Sequence, residues 1–451
     1  MPTNHPAIPP RKHALSVPVT LPPVLREFCW VTLLLTLISG LYCIAMVVVF
    51  HKHYPYNWPF FLRSERFSDF TIFTHKFEYF HQAAFFTTGF PINYPAPMTI
   101  VYEAFFKFAG SKALLAFLIV LLLSFAVPAV LFGRALVKRG LSRSTATVVV
   151  SITLLLSWPA LLLVDRANVE VIVWIAVALG AWAYARNKGW TAAAMFGVAA
   201  SLKLFPFIYL ALFLTRKNFP KVLFGALVFG GVTLASLAML GPTIPVAYQG
   251  LAMGMSSFRA NYMVMYRPAE GGFDHSVLAF CKLWIAIALR DHSAHALLVA
   301  LNIYLPLMAI GGILLYFLLI RKLPLLNQLL VLTIASIYFT PFSGDGTLIH
   351  LYCSFALCSF LAIDAWKRKI EIPGLRTIFL CYAWLFSIES FLIVIGYRVE
   401  GQFKCVGIAV LLISALRHPL GPPLKSNQEE DLSWPNASNI QTARILPDNV
   451  S

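Results

Sequence analysis

The sequence predicts an all-α polytopic membrane protein, and three observations carry that reading. Of 451 residues, 59% are hydrophobic and only 12% charged, against about 45–50% and about 25% in soluble domains. The apolar residues arrive in blocks of about 18–25, the length that crosses a bilayer as a helix. The basic residues, which give a net charge of +16, gather in short segments between alternate blocks, the pattern of cytosolic loops. A water-soluble enzyme, a disordered chain and a nucleic-acid binder are excluded as default classes.

Taken in order, residues 1–25 are Pro-rich and polar and read as a flexible cytosolic arm. The first span is 28–50, too long for a signal-peptide core, so it is expected to stay as an anchor. Residues 51–110 are too polar to cross and too aromatic to float in water, so short helices at the membrane interface are expected there. Spans follow at 113–135, 145–164 and 168–185. The apolar stretch 190–215 has Arg186 and Lys188 before it and Arg216, Lys217 and Lys221 after it, while Lys203 and Pro206 interrupt its middle. Both ends then lie on one side, which predicts a half-membrane helical hairpin whose broken backbone faces protein or water. A span at 222–241 leads to a second external loop, 242–295, with an amphipathic stretch near 277–290. The later spans are 296–320, 325–340, 349–366, 376–397 and 402–416, for about 9–11 crossings in one domain over 26–417. A polar tail, 418–451, is expected to be disordered.

The charge distribution tests this topology. With both termini inside, 21 of the 35 Lys and Arg lie in cytosolic segments, 13 are spread over the much longer external loops, and the last is Lys203. The 51–110 and 242–295 loops are then extracytoplasmic. The seven cysteines form no CxxC pair and read as small buried apolar residues. No HExxH, DxD or paired-ligand spacing appears in the external loops, so the histidines give no metal signature and no cofactor is expected, and the lack of a Walker-type loop argues against an ATP-driven pump.

Four acids fall on the external side: Asp69, Asp165, Asp274 and Asp345. Asp165 is adjacent to Arg166, which suggests a local ion pair. Asp69 lies in Arg66-Phe67-Ser68-Asp69-Phe70, among apolar rings at the membrane surface. A partly desolvated carboxylate there suits a general base, and an N-cap of a helix starting at Phe70 is the plainer alternative. Arg166, Lys203, Arg259 and Arg267 are candidates to hold an anionic group such as a lipid phosphate. Lys203 stands out, because a lysine in an apolar hairpin needs an anion, water or a route to the interface. Tyr248, Tyr262 and Tyr266 accompany the second-loop arginines, which suits sugar stacking or an aromatic belt.

Four elements in order resemble glycosyltransferase family 87. They are Asp69-Phe70 with Gly89 and Tyr94-Pro95-Ala96-Pro97 after it; Arg166-Ala167-Asn168-Val169-Glu170; Gly197-Val198-Ala199-Ala200-Ser201-Leu202-Lys203-Leu204-Phe205-Pro206; and Thr340-Pro341-Phe342-Ser343-Gly344-Asp345. Together they run from about 69 to 350. Where the family continues the last element with Trp and His, this chain has Gly346 and Thr347, and the nearest histidine is His350. Asp274-His275-Ser276 echoes a further family element loosely. The resemblance implies a C-type glycosyltransferase fold and a polyprenyl-phosphate-linked sugar donor, commonly mannose. It also implies a lipid or glycan acceptor, an early acid (Asp69) as base, and inversion at the anomeric carbon. Donor or substrate contacts are expected from Lys203, Arg166, Arg259, Arg267, Tyr94, Asp345 and His350, and the expected setting is a bacterial plasma membrane. A lipid or sugar transporter and a lapsed family member are the rival readings. Convergence of Asp69 and Lys203 on one place favours the transferase.

Overall fold

A bilayer leaves no water to satisfy stray backbone groups, so apolar segments close their hydrogen bonds within helices. The computed structural model describes residues 21–421, apart from 61–62, 90, 216, 265–271, 290–292, 391 and 395–396. Its helices of eight residues or more begin with α1 (Pro23–Val48), α2 (Ala96–Ala109), α3 (Ala113–Lys138), α4 (Arg143–Val150) and α5 (Trp158–Arg166). Next come α6 (Glu170–Ala185), α7 (Gly189–Leu202), α8 (Phe219–Leu240), α9 (Ile244–Phe258) and α10 (Val277–Leu289). The last are α11 (Ala294–Leu318), α12 (Leu325–Tyr338), α13 (Leu351–Lys367), α14 (Leu375–Phe386) and α15 (Glu400–Arg417). The strands among the described residues are one two-residue antiparallel pair, Ile393–Val394 with Tyr397–Arg398.

Surface and core are inverted relative to a water-soluble bundle. On α1, Leu25, Phe28, Cys29 and Thr32 are buried, while Trp30, Leu33, Leu34 and Leu37 are exposed, as a lipid-facing helix requires. Its 26 residues span about 39 Å, enough to cross with tilt. Helix α12 is the opposite case, buried along nearly its whole length. Its polar residues are satisfied: the Asn327 amide donates to the Ala415 and His418 carbonyls at 2.6 and 2.8 Å, and Tyr209 donates to the Thr333 hydroxyl at 2.9 Å. A helix enclosed by protein need not match the lipid thickness, and α12 has only 14 residues.

That distinction corrects the span list. Among the described residues five helical segments are long and apolar enough to cross unaided, and six with the pair 143–155 and 158–166, which is bent by 48°. The expected continuous span 145–164 is broken by a π-turn at Ser151–Leu155 and by Pro159 in the first turn of α5. The expected span 376–397 is a 12-residue helix followed by non-helical chain. The first loop does form short helices, but its last part, α2, runs through a 3-10 turn at Gly110–Lys112 directly into α3. The hairpin has the expected break: α7 ends at Leu202, and Phe205–Leu210 returns as a 3-10 helix into Ala211–Thr215. The N-terminal arm ends sooner than expected, since Pro23 starts α1. The tail begins later, because Leu420 is buried and its N–H donates to Asn327 at 2.7 Å. Most of both terminal segments lies outside the described residues.

Polar contacts join segments that the charge count puts on one side. On the predicted outer side the Phe67 N–H donates to the Asp165 carbonyl at 2.8 Å, and the Ser343 N–H to Asp274 at 3.0 Å. On the predicted inner side Arg376 pairs with Glu27 at 2.7 Å, and Arg139 with Asp364 at 3.6 Å. Ser64 and Ser144, both exposed, provide a check. Cysteines at these positions should react with an impermeant thiol reagent from opposite sides, and reaction from the same side would refute the topology.

Candidate active site

Two left-handed turns build the first polar cluster. Helix α5 ends where Ala167 takes φ 50° and the Asn168 N–H closes back onto the Leu163 carbonyl at 3.0 Å, a helix stop usually given to glycine. Facing it, Phe67 takes φ 59° just before the short helix Ser68–Thr71. Each such backbone costs about 1–2 kcal/mol for a residue with a Cβ, so the surrounding packing has to hold it. Phe70 supplies that packing: it is buried, with its ring 4.8 Å from Phe106 and 5.4 Å from Tyr102.

The turns bring side chains from distant segments into one chain of contacts. Arg166 pairs with Asp69 Oδ1. Asn168 donates from Nδ2 to Asp69 Oδ2 at 2.6 Å and accepts the Glu170 N–H at 2.8 Å. One Glu170 oxygen pairs with Lys203, and the other accepts from His350 Nε2 at 2.8 Å. Glu170 and His350 are buried at 2% and 0% side-chain exposure, whereas Asp69, Arg166 and Lys203 retain 14%, 25% and 26%. The three groups with surface left to meet a substrate are therefore Asp69, Arg166 and Lys203, and the Glu170–His350 pair that links into them is closed off.

Two expectations change. Asp69 is not an N-cap: that position belongs to Phe67, and no side-chain capping bond is made. The Asp165 carboxylate pairs with Arg66 at 3.4 Å and Arg166 pairs with Asp69, so both residues meet the first loop. Lys203 does find an anion, Glu170. Tyr94 joins the aromatic wall behind Asp69, its ring 5.6 Å from Phe73 and 5.9 Å from Tyr102. Arg259 is held by Asn302 at 3.1 Å and makes no ion pair with either cluster among the described residues. Arg267 and Tyr266 lie outside the described residues.

Asp345 belongs to a second cluster. It accepts Trp158 Nε1 at 2.9 Å, pairs with Lys404 at 2.7 Å and lies 3.3 Å from His275 Nδ1. Lys404 also pairs with Glu389. Asp274 clips the two loops together, accepting the Ser276 and Ser343 N–H groups at 3.0 Å each. Burial pushes the Asp274 carboxyl above its ordinary value, and its Oδ2 is buried with no hydrogen bond. Asp274→Asn keeps an oxygen for both N–H groups and should melt within about 1 kcal/mol of wild type. Asp274→Ala strands both donors and should cost about 2–4 kcal/mol, roughly 1–2 for each. Equal losses would show that the charge, and not the clip, matters.

Sequence reading passed over Lys404, Glu389 and Trp158. Lys404 carried the same signal as Lys203, a lysine inside an apolar span. Glu170 was seen only as part of a motif.

Among the described residues no group of three or more His, Cys, Asp and Glu could hold a metal ion. Residues 93–266 match the family model of glycosyltransferase family 87. The match makes this stretch of the chain similar to that family. The matched stretch contains Arg166, Asn168, Glu170 and Lys203. Asp69 and His350 fall outside it and reach it through Asn168 and Glu170. No curated protein and no solved structure matches the chain.

Proposed function

We propose that this protein is a membrane glycosyltransferase that moves a hexose, mannose in the first instance, from a polyprenyl-phosphate donor to a lipid or glycan acceptor. The observation that supports it is the accessible edge where Asp69 lies beside Arg166, one contact chain away from Lys203. Asp69 takes the proton of an acceptor hydroxyl as that oxygen attacks the anomeric carbon. The carbon–oxygen bond to the phosphate breaks and polyprenyl phosphate leaves. Arg166 and Asn168 hold the carboxylate in place, and its remaining lone pairs are available to the acceptor. Arg166 and Lys203 meet the charge growing on the leaving phosphate, the interaction that most lowers such a barrier. Both already face carboxylates, so the phosphate shares them. The exposed apolar faces of the long helices suit the prenyl chain.

The charge distribution supports both termini being cytosolic and the site extracytoplasmic; the setting we propose is a bacterial plasma membrane, with residues 26–417 as one unit. Single displacement assisted by one carboxylate predicts inversion. Product formed from a donor of defined anomeric configuration should carry the opposite configuration by NMR. Retention would overturn the Asp-base mechanism.

A further inference from the structure

A cavity of about 150 Å³ lies between the first loop and α9, lined chiefly by Asn93, Gly254, Ser257, Phe258, Asn261 and Tyr262. No lining residue carries a charge. One wall is aromatic and fixed: the Phe258 and Tyr262 rings stack at 4.8 Å, and Phe342 packs edge-on to both at 5.4 and 5.6 Å. The rest is amide and hydroxyl. Asn261 donates to the Ser257 carbonyl at 2.9 Å, and the Asn93 side chain has no hydrogen-bond partner among the described residues.

The gap is set by close packing. A Cβ at Gly254 would stand 1.7 Å from the Ile92 carbonyl oxygen, and one at Gly250 would stand 2.2 Å from the Phe86 ring. Two glycines one turn apart thus let α9 press against the first loop, and Gly254 itself lines the cavity. The helix then passes into a π-turn, Arg259–Met263, which carries Asn261 and Tyr262; such turns recur at binding sites. The cavity also lies between the two polar clusters. Asn93 precedes Tyr94, which packs on Tyr102, and Tyr102 accepts the Val169 N–H beside Asn168 at 3.2 Å. Phe342 precedes Ser343, which Asp274 holds.

No lining residue offers a phosphate a cation, the nearby Lys282 being held by the Tyr262 carbonyl at 2.8 Å and Arg259 by Asn302, and a prenyl chain would bury the Asn93 amide without a partner. An uncharged ring with hydroxyls on its edge and C–H groups on its face fits both walls. The volume suits one ring and is well below the 300–1,000 Å³ of drug-sized pockets.

We propose that this cavity is a subsite for a single uncharged sugar ring, of the acceptor or of the donor. The choice of ligand rests on the sugar-transfer reading; the test needs neither donor lipid nor turnover. Saturation-transfer NMR on the purified full chain would measure binding of methyl α-D-mannopyranoside and methyl α-D-glucopyranoside. Saturable binding of at least one is expected. Tyr262→Ala should weaken it about tenfold and Asn93→Ala about fivefold, whereas Tyr262→Phe, which keeps the stack, should change it less than about twofold. Asp69→Asn should bind the glycoside like wild type, so a failed base assignment leaves this result standing. In transfer assays, a KM raised for the acceptor alone assigns the ring to the acceptor, and one raised for the polyprenyl-phosphate sugar alone assigns it to the donor. No saturable binding to wild type, or Asn93→Ala and Tyr262→Ala proteins that melt normally and bind and turn over unchanged, would overturn the proposal.

Discussion

Asp69→Asn should lower turnover by roughly 10²–10⁴-fold at saturating acceptor, the usual cost of losing a general base, while donor affinity is kept. The structure adds a condition. Asn168 uses its oxygen on the Glu170 N–H at 2.8 Å and offers its NH2 group to Asp69 at 2.6 Å. An asparagine at 69 can accept from Arg166 or from Asn168 with its one oxygen, and its own NH2 then faces a donor. That mismatch costs about 1–3 kcal/mol, so melting must be measured beside rate. Asn168→Ala separates the two effects. It removes a support of the carboxylate without removing the base, and about tenfold in rate is expected from lost positioning. If Asp69 were a structural partner of Arg166 alone, both variants would lose activity only in proportion to their loss of stability. Asp69→Glu should recover little, because one methylene misplaces the carboxylate.

Lys203→Met has the second large effect, and it falls first on folding. Glu170 is buried and has His350 on one oxygen and Lys203 on the other. Removing the cation leaves a buried carboxylate with half its partners, a change that typically costs about 3–5 kcal/mol. Loss of activity in this variant alone therefore says nothing about phosphate. Lys203→Met combined with Glu170→Gln removes both charges and should restore most of the stability, since the cost lies in the unpaired charge. The proposed role predicts that the double variant melts close to wild type yet binds donor at least tenfold more weakly, about 1.4 kcal/mol or more. A double variant with normal donor affinity would make Lys203 a structural partner of Glu170.

The chain disclosed its membrane class and its hairpin because both are local. Apolar run length fixes a crossing, and Lys203 with Pro206 marks a break in a run whose ends are both basic. Asp69 was legible as a carboxylate among aromatic residues. Its partners were less so: Asp165 and Arg166 are neighbours in sequence, yet each pairs with the first loop, Arg166 with a carboxylate 97 positions away. Interior helices misled in the other direction. The 376–397 run is apolar enough to suggest a crossing, but enclosure by protein relieves α14 of the need to match the lipid, and Glu389 beyond it is drawn to Lys404. The Asp274–Ser343 clip joins residues 69 positions apart, and no short-range pattern announces it.

Transfer and transport make opposite predictions in one vesicle experiment. The protein is reconstituted with polyprenyl-phosphate hexose labelled in the sugar, acceptor is supplied on the side bearing the first loop, and no nucleotide sugar is present. The proposed function predicts label in the acceptor and release of an equal amount of polyprenyl phosphate, with both lost in Asp69→Asn. Movement of intact labelled donor between leaflets, with no label in the acceptor, would contradict it.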